Sequence, residues 1–92
     1  MEERIDRQLV LDANAVAGLL AETFGDEMTA STSQCAHCGN VGQVGTLLAY
    51  VRGPGTVLRC SVCTEVVLRI AVTPRGTMVD ARGATHLVIR RP

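Results

Sequence analysis

Two short units, Cys35-Ala36-His37-Cys38-Gly39 and Cys60-Ser61-Val62-Cys63-Thr64, hold all four cysteines of the chain, with 21 residues between Cys38 and Cys60. Two residues between cysteines let one tight turn aim both thiolates at a single cation, and the backbone N–H groups after the turn are free to donate to sulfur. Two such turns supply four soft ligands for a tetrahedral Zn²⁺. Gly39 suits a turn that needs positive φ, whereas Thr64 stands at the matching place in the second unit. The need for a staple follows from size: 92 residues make at most one ordinary domain, and a core this small is marginal alone. A structural metal adds on the order of 10 kcal/mol to folding. With 47% hydrophobic residues but only Phe24 and Tyr50 as aromatics, the core must be aliphatic.

The rest of the pattern places these units on hairpins. Ten of twelve valines lie from Val41 onward, and turn residues recur there at short intervals. Strands are expected at residues 46–51, 56–59, 65–73, 77–81 and 85–90, the first two joined by Gly53-Pro54-Gly55 inside the gap between the cysteine pairs. In the third, Val66, Leu68, Ile70 and Val72 alternate with Val67, Arg69, Ala71 and Thr73. Before the first pair, a helix is expected over residues 13–24, with Asp12 as N-cap and Gly25 just past its end. Val16, Leu19, Leu20 and Phe24 form its apolar stripe, which either packs on the protein's own sheet or is offered to a partner's groove. Residues 29–34 are small or polar without periodicity and read as a linker. The expected organisation is therefore an N-terminal helical arm and linker, residues 1–34, followed by a β domain, residues 35–92.

On these residues the chain resembles the zinc-ribbon class, in which cysteine-bearing turns of two β-hairpins clamp one zinc ion. The match spans Cys35 to Thr64. With Leu11-Asp12-Ala13-Asn14-Ala15 and Phe24-Gly25-Asp26-Glu27-Met28-Thr29 added, the whole chain is similar to small actinobacterial zinc-ribbon proteins of unknown function. The resemblance implies a small β-rich zinc ribbon, antiparallel hairpins with one short N-terminal α-helix, and structural Zn²⁺ on Cys35, Cys38, Cys60 and Cys63. Iron on the same thiolates, two disulfides, and redox-active thiols are the competing readings of the cysteines.

If all four thiolates hold the ion, no position stays open for water, so catalysis is not expected and no catalytic residue is assigned. No nucleophile elbow, P-loop, HExxH or dinucleotide motif is present, and no small-molecule substrate is indicated. His37 and His86 have no partner motif and are read as exposed. Charge sums to zero but divides unevenly: residues 1–34 carry seven acids and two arginines, and residues 35–92 carry seven arginines and two acids. With neither an 18-residue apolar run nor a secretory-type start, a cytoplasmic, non-membrane protein is expected.

The expected role is a non-catalytic, zinc-stabilised interaction module with a protein partner, transcription or translation machinery being the place to look by analogy of fold alone. The rival is direct RNA or DNA binding. If Val51 pairs with Thr56, then Tyr50, Arg52, Val57 and Arg59 share a face, an arrangement suited to stacking and phosphate contact, with Arg69 as a further cation.

Overall fold

The structure, a computed structural model, describes residues 10–25, 27–52 and 55–89; the side chain of Arg52 and the Gly53-Pro54 turn lie outside the described part. Eight strands are described: β1 (Val10–Asp12), β2 (Thr32–Cys35), β3 (Val41–Gln43), β4 (Leu48–Arg52), β5 (Gly55–Arg59), β6 (Val66–Thr73), β7 (Gly76–Asp80) and β8 (Ala84–Val88). They form two antiparallel sheets, one of five strands in the order β1-β4-β5-β6-β7 and one of three in the order β3-β2-β8. One helix, α1 (Ala17–Phe24), follows a 3₁₀ turn at Ala13–Val16.

Local chemistry accounts for these boundaries. Asp12 Oδ1 accepts the Asn14 N–H at 3.0 Å, capping the 3₁₀ turn. Gly25, at φ 75°, donates its N–H to Ala21 O at 2.7 Å and ends α1. The expected continuous helix over 13–24 is thus a 3₁₀ turn feeding two turns of α-helix. Strand β4 starts later than residue 46 because Thr46 closes another 3₁₀ turn, its Oγ1 donating to Gln43 O at 2.6 Å.

The expected linker is the largest correction. Thr32–Cys35 is the central strand of the three-stranded sheet, paired with β3 on one side and β8 on the other. Ser31 and Ser33 are buried. Their sequence carries no apolar alternation because the buried positions are serine and a cysteine that faces the other thiols. The division expected at residue 34 runs through this strand. Residues from both sides share one buried cluster, in which Ala13, Leu20 and Met28 lie with Val44, Leu47, Ala49, Leu58, Val67, Leu68 and Ile70.

The helix stripe also has its place. Leu20 is fully buried, and Val16, Leu19 and Phe24 pack against the same cluster. Leu20, with no exposed surface, is unavailable to a partner, whereas Val16, Leu19 and Phe24 pack on the protein's own core and keep part of their surface exposed. In β6 the simple alternation breaks at a bulge: Leu58 pairs with Leu68, but Arg59 pairs with Val66, which turns Val67 into the core as well. Val72 is exposed at the far end of the strand.

Two glycines let chain segments meet where no side chain fits. A Cβ on Gly45 would stand 2.7 Å from Asn14 Oδ1 and 2.9 Å from Thr29 O, at the junction where Gly45 N–H donates to Thr29 O. A Cβ on Gly83 would stand 1.8 Å from Val66 O. Gly83 lies on the crossover from β7 to β8, where its carbonyl accepts the Ala36 N–H at 2.9 Å, so this crossover presses the two sheets together beside the cysteines.

Candidate metal centre

Each cysteine pair sits in the turn of a hairpin, the first between β2 and β3, the second between β5 and β6. The turns repeat one hydrogen-bond pattern. Cys35 N–H donates to Asn40 O and Gly39 N–H to Cys35 O, both at 2.9 Å, while His37 N–H points at Cys35 Sγ, 3.4 Å away. In the second turn Cys60 N–H donates to Glu65 O and Thr64 N–H to Cys60 O, again at 2.9 Å, with Val62 N–H 3.4 Å from Cys60 Sγ. The likeness between the units, legible in sequence only as C-x-x-C, therefore extends over the backbone of six residues.

Both turns need a residue of positive φ after the second cysteine. Gly39 supplies it at 81° without cost, and Thr64 adopts it at 65° despite its branched Cβ. Thr64 Oγ1 donates to Cys63 O at 2.6 Å and its carbonyl accepts Arg59 Nη1 at 3.0 Å. The strained backbone is thus held from both sides.

The turns bring the four Sγ atoms together, all within 4.8 Å of one another. Across the turns, Cys35 Sγ lies 3.7 Å from Cys63 Sγ, and Cys38 Sγ lies 3.7 Å from Cys60 Sγ. A Zn–S bond of about 2.3 Å sets the edge of an S₄ tetrahedron at about 3.8 Å, so the donor set fits a tetrahedral ion, whereas a disulfide needs about 2.05 Å. All four cysteines are free thiols in the structure. Cys35 and Cys60 are buried, Cys63 is half-buried and Cys38 is exposed.

Electrostatics at the cluster point the same way. Desolvation pushes the Cys60 thiol up, but the N–H groups of Cys63 and Val62, with the Cys38 sulfur, outweigh it and bring it down to about 7. Cys35 is lowered by the equivalent balance, desolvation being overcome by the N–H groups of Cys38 and His37. Cys63 gains from the Glu65 N–H, yet desolvation and the three neighbouring sulfurs push it up to about 12. Cys38, despite the Asn40 N–H, is raised by desolvation and by Cys60 and Cys35. Four thiolates this close repel one another, so two ionise readily and two keep their protons unless a cation offsets the charge.

Neither histidine belongs to the cluster. His37 is exposed, its Nε2 3.9 Å from Glu65 Oε2 across the two turns. His86 is exposed on β8, opposite Gln34.

The second group singled out in the sequence lies on the five-stranded sheet. Val51 pairs with Thr56 and Tyr50 with Val57, which pairs in turn with Arg69. Arg59 Cζ stands 5.3 Å from the Tyr50 ring centroid. Tyr50, Arg59 and Arg69 therefore share the face turned away from the buried one, while the Arg52 side chain lies outside the described part. Asp80, across from Arg69, is held down to about 2 by the hydrogen bonds of Arg82, whose Nε and Nη2 reach both its oxygens. Sequence reasoning missed this acid, whose only signal is its place two residues before Arg82 at a turn.

Among the described residues, no helix is long and apolar enough to cross a membrane. A family model described as a family of unknown function (DUF6510) matches residues 4–92. No curated protein and no solved structure matches the chain.

Proposed function

We propose, for a chain that belongs to the DUF6510 family of unknown function, that it is a non-catalytic interaction module whose fold is held by one structural Zn²⁺ on Cys35, Cys38, Cys60 and Cys63. The observation that carries this reading is the cluster of four sulfurs within 4.8 Å of one another, with two cross-turn edges of 3.7 Å and no fifth donor among the described residues. Four thiolates fill the coordination of zinc, so the ion has no site for water or substrate and supplies cross-linking rather than Lewis acidity. The thiolates come from hairpins of different sheets, which makes the ion a tie between the two sheets. Four thiolates at this spacing suit zinc and iron alike; a colourless protein after aerobic purification would exclude iron.

Such a tie frees the surface for binding. With the helix stripe packed on the protein's own core, the interaction surface of the module is sought on the sheets. The site itself is tested by X-ray absorption at the metal edge of the purified protein. Four sulfurs at about 2.3 Å and no lighter ligand support a structural zinc. An oxygen or nitrogen in the shell overturns the closed site and reopens catalysis.

A further inference from the structure

We infer that the outward face of the five-stranded sheet binds an unpaired nucleic-acid strand, with a base stacked at Tyr50–Arg59 and a phosphate at Arg69. This names the partner of the interaction module proposed above and rests on that reading, since the ion would fix the hairpin turn that carries β5 and β6. The register aligns the needed groups. Tyr50, Val57 and Arg69 stand side by side in one row, and Gly55, Ala71 and Met78 stand in the next. Val57 and Ala71 are half-buried, and Met78 is 49% exposed. The result is a low apolar floor with a ring at one side and Arg59, Arg69 and the Arg82-bound Asp80 at its margin.

Arg59 is already placed. Its Nη1 donates to Thr64 O at 3.0 Å while its Cζ stays 5.3 Å from the Tyr50 ring centroid. A base meeting this pair gains a stack on a group whose rotamer is largely fixed, so little entropy is lost on binding. Charge selects the occupant. On the described part of this face Arg59 and Arg69 stand with a single acid, Asp80, which lies across from Arg69 in the register and is held by both oxygens to Arg82. A phosphate chain matches an arginine-bearing apolar face better than an uncharged or basic peptide does. Stacking requires an exposed base, which excludes a paired duplex.

The test uses the full chain, purified with its metal, and fluorescence anisotropy with labelled oligouridylate and oligodeoxythymidylate of about ten nucleotides. Metal content and thermal melt are recorded on every sample. The expected result is single-strand binding that weakens with salt, at a log–log slope of about −0.7 for the one phosphate at Arg69. Arg69→Glu is expected to lower that slope by at least about half. Tyr50→Leu is expected to weaken binding about tenfold with the melt and the metal retained. The RNA and DNA arms distinguish which strand is preferred. No binding at the lowest salt by folded, metal-loaded protein overturns the proposal, and a protein occupant would produce that result. Equal affinity for a duplex overturns it too, as does binding indifferent to both substitutions. Because Arg69 is exposed, Arg69→Glu keeps the test decisive should Tyr50→Leu fail to fold. Binding by a metal-free but folded chain supports the surface while contradicting the structural-metal reading, so the two failures are distinct.

Discussion

At the scale of single residues, the two cysteine turns differ most at Gly39 and Thr64. Left-handed backbone costs a β-branched residue on the order of 1–2 kcal/mol, and Thr64 bears that cost at φ 65°. Thr64→Gly is expected to raise stability by about 1 kcal/mol, read as a higher urea midpoint of the metal-loaded protein; a lower midpoint would mean that the Thr64 hydroxyl contributes more than the strain costs. Gly83→Ala should do the reverse. Its Cβ would lie 1.8 Å from the Val66 carbonyl oxygen, so a loss of at least about 3 kcal/mol or failure to fold is expected, measured by the same unfolding curve. Protons compete for the sulfurs. Without metal, Cys63 keeps its proton up to about 12 and Cys60 up to about 7. Loading metal at neutral pH must therefore expel protons, and affinity should rise with pH and fall steeply below about 7. A competitive chelator titration across that range checks the sign, and affinity independent of pH would contradict it. The Gly39 turn was legible because glycine is the usual solution to positive φ. The matching conformation at Thr64 was not, because threonine disfavours it and only hydrogen bonding from both sides holds it there.

Among the elements, α1 shows how far a periodic pattern carries. The stripe of Val16, Leu19, Leu20 and Phe24 was readable from spacing, but spacing alone does not say what the stripe meets. Complete burial of Leu20 in the common core answers this for that side chain. Leu20→Ala is expected to destabilise the protein by about 2–4 kcal/mol, visible as a lowered melting temperature. An unchanged melt would place that side chain outside the core. The strands divide by the same logic. β5, β6 and β7 were legible to within a residue or two because valine-rich alternation and turn residues bound them. β2 was hidden, since Thr32-Ser33-Gln34-Cys35 buries a serine and a cysteine in place of apolar side chains. β1 and β3 are three residues each, too short for a period to register. The burial of Val67 depends on a bulge, and a bulge is set by the register of the partner strand.

At the scale of the whole molecule, the described residues form two sheets whose hairpins converge on four sulfurs, beside a crossover at Gly83 that no larger residue can make. Neither sheet is large, and the aliphatic core they share is short of aromatic bulk. The metal reading therefore predicts that folding and metal binding are one event. The direct measurement is a thermal melt of the protein followed by circular dichroism, with elemental analysis of the same samples before and after chelation. The account predicts one zinc per chain as purified, a cooperative melt in its presence, and loss of the transition once the ion is gone, with recovery on adding zinc back. A cooperative melt that is unchanged after every metal has been removed would contradict it.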